Sequence, residues 1–162
     1  GKDGSMTSKD RSYYTYRTPH GPLTIGVAGD AVCAVVLGKA KLAGACKPSE
    51  LSNACATELL EYFAGKRTAF DLPLAPEGTD FQKRVWHAVE AIPYGQTRTN
   101  ADIAAAVGSP ESFRMVGSAV KKNPIVALIP AHRVVGANGK PSGSDKHAQL
   151  RAAFLELERR NA

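Results

Sequence analysis

The residues best suited to chemistry stand together in Asn123-Pro124-Ile125-Val126-Ala127-Leu128-Ile129-Pro130-Ala131-His132-Arg133-Val134. An apolar run with the composition of a buried strand stops at Pro130 and delivers a histidine and an arginine. Imidazole exchanges a proton near neutral pH, so His132 is a candidate general base. On its own such a residue is more often a hydrogen-bonded structural histidine. Ala131, just before it, has neither a lone pair to attack with nor a proton to lose. A second group lies upstream. Arg114 stands near the start of a helix, and Gly117-Ser118-Ala119 give that helix a nearly bare face. Lys121 and Lys122 follow. A bare face lets a backbone approach another surface, and the charges suit phosphates as well as plain solvation. Ser142 and Ser144 lack the strained elbow and adjacent base of an activated serine. The sequence shows neither a glycine-rich phosphate loop nor a metal-ligand cluster. Cys33, Cys46 and Cys55 are odd in number and have no Cys-x-x-Cys spacing, which argues against a disulfide framework and a zinc site. Cys33 and Cys55 fall on apolar positions and read as small core hydrophobes.

These residues need elements to hold them. Residues 12–18 are rich in strand formers, and Leu23–Ala28 and Ala31–Leu37 are two further strands joined by Gly29-Asp30. Residues 39–48 read as loop. Ser49 caps a helix to about Ala64, with Leu51, Cys55, Leu59 and Tyr62/Phe63 on one face, and Gly65 ends it. Residues 72–78, with two prolines and a glycine in seven positions, form a linker. Thr79 and Gln82 make a capping box for a helix that turns Phe81, Val85, Trp86 and Val89 inward and stops at Ile92-Pro93-Tyr94-Gly95. Thr99 and Asp102 start another, with Ile103 and Val107 inward. Gly108-Ser109-Pro110 is the turn before a helix over about 111–122, so the pair is a helix–turn–helix candidate. Ile125–Ile129 reads as a strand and Gly136–Gly139 as a hairpin turn. A final helix from about His147 to Arg160 places Leu150, Phe154 and Leu157 on one stripe.

A chain of 162 residues makes one or two small domains and can bury a core without metals or cross-links. The composition, 43% hydrophobic and 22% charged, is that of a globular protein, and no apolar run approaches a membrane span. No secretory leader is legible, and Gly1–Ser5 before Met6 read as a cloning remnant. The net charge of +6 leans to the second half: Lys and Arg outnumber Asp and Glu by 12 to 8 over residues 76–162, and by 9 to 7 over 1–75. Such an excess suits a polyanionic partner without demanding one.

Gly78-Thr79-Asp80-Phe81-Gln82, Val85-Trp86, Ile92-Pro93-Tyr94-Gly95, Arg114-Met115-Val116-Gly117, Asn123-Pro124 and Ile129–Val134 together resemble the O6-alkylguanine-DNA alkyltransferase family (methylated-DNA–protein-cysteine methyltransferases). The resemblance is strong from Gly78 to Val135 and weaker before Pro73. It implies an α+β fold: a small N-terminal α+β, ribonuclease H-like domain over residues 7–75, then a winged helix–turn–helix domain over 76–162. It also implies that the protein binds the DNA minor groove, flips out the damaged guanine and moves its alkyl group to a cysteine, whose reactive form is the thiolate. In the family a histidine acting through water takes the thiol proton, a glutamate orients the histidine and an asparagine supports the segment. At the matching positions these are His132, Glu158 and Asn123. Arg114 matches the arginine that fills the gap left by the flipped base, and Gly117, Ser118, Lys121 and Lys122 belong to the same DNA-binding helix.

Three positions depart from the family pattern. Ala131 stands where the signature Pro-Cys-His-Arg-Val carries the reactive cysteine. Asn100 replaces a tyrosine that helps rotate the lesion's phosphate. Residues 143–147 replace a pocket loop resembling Gly-Tyr-x-Gly-Gly, with Ser144 at the tyrosine's place. Ala131, Ser144 and Val134 then line the lesion pocket. The resemblance implies a member of the alkyltransferase-like branch, which binds O6-alkylguanine in double-stranded DNA without repairing it and flags it for nucleotide excision repair proteins. It implies a monomer without cofactor, metal or membrane, cytoplasmic (at the nucleoid in a bacterium) or nuclear. The alternative is an alkyltransferase inactivated by a Cys-to-Ala substitution at 131. Three departures in one site favour natural divergence.

Overall fold

The computed structural model describes residues 10–140 and 147–162. Gly1–Ser5, Ser142 and Ser144, singled out in the sequence above, lie outside the described residues. The chain forms two compact units, residues 1–77 with 124–126, and 78–123 with 127–162. Among the described residues no helix is long and apolar enough to cross a membrane.

The first unit is a four-stranded sheet with one helix. Strands β1 (Arg11–Tyr16), β2 (Leu23–Ala28) and β3 (Ala31–Leu37) form an antiparallel meander. The short β4 (Ala45–Cys46), in a stretch expected to be loop, pairs parallel to β1. Nothing in an Ala-Cys dipeptide announces a strand; only the β1 edge makes it one. Helix α1 (Glu50–Phe63) starts at a capping box of Ser49 with Ser52 and buries Cys55, Leu59 and Tyr62. Leu51 and Phe63 are only half-buried, and so is Cys33.

The free edge of β3 is covered by two other segments. Val32 donates to Pro73 O (2.9 Å) and accepts from Ala75 N (2.8 Å); Val35 donates to Pro124 O (2.9 Å) and accepts from Val126 N (3.0 Å). Edge hydrogen-bonding groups are thereby satisfied and shielded from pairing with another chain. The expected strand Ile125–Ile129 does not form. Ile125 makes a single parallel bridge to Val35, and Ala127 turns the chain with a φ of 70°. Buried apolar side chains continue through the turn, so the composition imitates a strand that the backbone interrupts.

The second unit is mainly helical. Helix α2 (Asp80–Glu90) begins at the Thr79–Gln82 capping box and buries Val85, Trp86 and Val89, while Phe81 is half-buried. A Cβ on Gly78 would sit 2.6 Å from Trp86 Cη2, so the chain can pass the indole only as glycine. Strand β5 (Arg98–Thr99) leads into α3 (Asn100–Ala106), capped by Thr99 and Asp102. Ile103 is buried, but Val107 is only half-buried, because it is the residue that ends the helix. A 3-10 turn at Pro110–Ser112 replaces the expected first turn of the next helix, and α4 spans Phe113–Lys121. Proline favours such a helix-initiating position. Strand β6 (Val134–Val135) pairs parallel with β5, and Gly136–Lys140 closes a tight turn. Helix α5 (Ala148–Asn161) buries Phe154, Leu155 and Glu158. The stripe is thus rotated from the expected Leu150–Phe154–Leu157, because a carboxylate has taken an inward position.

Candidate functional site

Pro130 ends the apolar segment, and Ala131–Arg133 form a 3-10 turn in which Arg133 N donates to Pro130 O (2.9 Å). Ala131, at the head of the turn, is half-buried; His132 and Arg133 point into the unit. The base of the turn is fixed by Asn123 Nδ2, which donates to Ile129 O at 2.7 Å. This side-chain bond supplies a partner that an interrupted strand would otherwise leave missing.

Glu158 is 0% exposed and lies at the centre of the network. Its Oε2 is 2.5 Å from His132 Nε2, and Arg133 donates to it through Nη2 at 3.0 Å. Its Oε1 accepts from Arg133 Nε at 2.7 Å and from Gly95 N at 3.2 Å. Arg133 Nη1 donates to Ile92 O at 2.6 Å, and the guanidinium lies over the Tyr94 ring. Burial without partners would cost each charge several kcal/mol; here the bidentate pair and the backbone contacts satisfy both. His132, 2% exposed, rests edge-on against Phe154. Burial holds its pKa below the usual value, and this outweighs the opposing pull of Glu158. A neutral ring that donates from Nε2 to a carboxylate keeps its lone pair on Nδ1, so that nitrogen is the basic one.

The helix pair is pinned from behind. Trp86 Nε1 donates to Ala119 O at 2.8 Å, so Ala119 faces the core rather than the bare surface expected of it. Gly117 lies beside Asn100, where an added Cβ would be 3.1 Å from Nδ2. Asn100 and Gly117 are half-buried, while Arg114, Ser118, Lys121 and Lys122 are exposed. Val134, named for the lesion pocket, is buried in β6. Ser144 lies outside the described residues. The structure therefore joins His132 to Glu158, places Ala131 at the head of the same turn, fixes the preceding segment through Asn123, and sets the exposed cations on α4 and at its C-cap. Gly95, Ile92 and Tyr94 join the cluster through backbone or ring faces, for which side-chain type gives little signal. Phe113 and Met115 are both exposed on α4, and the signal in the sequence is their apolar type directly beside Arg114.

Residues 12–76 match the ribonuclease-like domain of 6-O-methylguanine DNA methyltransferases, and residues 80–160 match their DNA-binding domain. The chain belongs to the O6-methylguanine-DNA methyltransferase family. A methylated-DNA–protein-cysteine methyltransferase of Mycobacterium tuberculosis is 39% identical over 158 residues, covering 93% of each chain. One from Methanosarcina barkeri is 50% identical over 106 residues, which is 65% of this chain and 67% of that one. The crystal structure of the M. tuberculosis O6-methylguanine methyltransferase superposes with a TM-score of 0.85 at 38% identity, covering 94% of both chains. The M. tuberculosis protein in complex with DNA gives 0.84 at 39% identity, covering 93% of this chain and 94% of that one. Both the family and the α+β architecture, a sheet domain followed by a helical DNA-binding domain, are those the sequence motifs imply.

Proposed function

We propose that this protein binds double-stranded DNA in the minor groove, recognises O6-alkylguanine by base flipping and leaves the alkyl group in place. The observation that carries this reading is Ala131, which heads the turn before the His132–Glu158 pair and has no atom able to accept an alkyl group. Helix α4 supports the DNA half: Arg114, Lys121 and Lys122 are exposed, and α4 carries no acidic residue. Arg114 is the residue that takes the place of the extruded guanine. Asn100, Gly117 and Ser118 let the duplex backbone come close, and the half-buried Ala131 lies at the lesion pocket. A bound but unrepaired lesion serves as a flag for excision repair, with the protein acting as a monomer.

Competition between duplexes with guanine and with O6-methylguanine tests the reading. The lesion duplex is expected to compete more strongly, with no mass added to the protein afterwards; equal competition refutes lesion recognition, and a methylated protein refutes the absence of transfer. A second reading, an alkyltransferase stripped only of its thiol, draws support from the intact His132–Glu158–Arg133 network. Ala131→Cys separates the two readings, because only the second expects methyl uptake at the rate of an ordinary family member.

A further inference from the structure

Helix α4 begins with three consecutive exposed side chains, Phe113, Arg114 and Met115. Phe113 is 47% exposed and Met115 58%. Four large hydrophobic residues are exposed among the described residues, and the two in the second unit are these. Lone exposed apolar residues are ordinary, but a phenylalanine and a methionine bracketing one arginine at a helix start are not scattered. Successive helical residues project about 100° apart, so Phe113 and Met115 leave the helix on either side of Arg114. The Arg114 guanidinium carbon stands 6.0 Å from the centre of the Phe113 ring. That contact gives the long arginine a preferred direction.

We infer that Phe113 and Met115 are an apolar wedge that enters the minor groove with Arg114 and holds the base step beside the extruded nucleotide unstacked. The inference rests on the DNA-binding reading above. Its occupant is a duplex rather than a protein partner, because the patch shares its helix with Arg114 and Lys121, with Lys122 next in the chain. Apolar side chains that insert between base steps at the minor groove replace lost stacking, whereas the cations meet phosphates. Phe113 supplies a ring face for a base. Met115, flexible and polarizable, fills the irregular gap on the other side.

The test is binding of the full chain to duplexes with 2-aminopurine next to guanine or O6-methylguanine, over a range of salt concentrations. Phe113→Ala with Met115→Ala is expected to weaken binding about tenfold or more, the scale of one lost base–aromatic stack. The variant should also lose most of the fluorescence rise that reports unstacking. The salt slope should stay unchanged, since no phosphate contact is removed, while Lys121→Ala with Lys122→Ala lowers the slope. Both side chains are exposed, so an unchanged melting curve verifies folding, and Phe113→Leu alone should keep part of the effect. A double variant that binds and unstacks DNA as the parent does overturns the wedge, as does a loss seen only in the salt slope. If the parent binds normal and lesion duplexes equally, lesion recognition fails, but the ratio of variant to parent on either duplex still decides the wedge. A parent that binds neither duplex overturns both.

Discussion

Replacing Glu158 by glutamine tests the buried network at its centre. Two oxygens accept from four N–H groups, with Arg133 donating to both. Glutamine keeps the shape but has one acceptor oxygen and an amide nitrogen that can only donate. Either orientation of the amide therefore sets an N–H of glutamine against an N–H of Arg133. His132 can adjust by changing tautomer; a guanidinium cannot. The positive charge of Arg133 also loses its counter-charge in a buried site, and breaking a buried pair from one side costs about 3–5 kcal/mol. At about 2–4 °C per kcal/mol for a chain of this size, the transition should fall by roughly 6–20 °C. Fluorescence of Trp86, the single tryptophan, reports that unit during urea or thermal unfolding. Adding Arg133→Met should recover part of the loss, because it removes the stranded charge. A shift worth less than about 1 kcal/mol, or a double variant worse than the sum of the single ones, refutes the claim that a charge pair organises the turn.

Burial lowers the pKa of His132, so between its folded value and the ordinary value of about 6.5 the unfolded chain binds more protons, and stability falls as pH drops through that range. The Trp86-monitored melting temperature should decline from about pH 7.5 to about 5.5, and His132→Asn should flatten the decline; parallel curves contradict this. His20 has the same sign of shift but belongs to the first unit, whereas Trp86 belongs to the second. Ala131→Cys should take up a methyl group from O6-methylguanine DNA, however slowly, and Glu158→Gln in that background should abolish uptake; intact-protein mass decides, and an inert single variant means the network no longer activates a thiol. Gly78→Ala should destabilise by about 1–3 kcal/mol, because its Cβ would meet the buried Trp86 ring, and a neutral result in urea denaturation argues against that close packing.

Local chemistry made much of this protein legible from its sequence. The capping boxes at Thr79 and Thr99, the meander around Gly29-Asp30 and the buried character of Trp86 follow from neighbours a few residues apart. So does the absence of a nucleophile at Ala131, which is a property of one residue. Tertiary structure alone decided the rest. The composition of residues 125–129 is strand-like, but only the β3 edge determines that pairing stops after Val126. The family resemblance names Glu158 as the partner of His132, but its position in the helix pattern reads as an ordinary surface glutamate, and only the fold, by bringing in Arg133 as well, shows why its charge is inside. The burial of Ala119 and the exposure of Phe113 and Met115 depend on where Trp86 pins α4. Capping and turn formation are satisfied within a few residues, whereas the burial of a charge or exposure of an apolar ring is set by partners the chain meets only once it has folded.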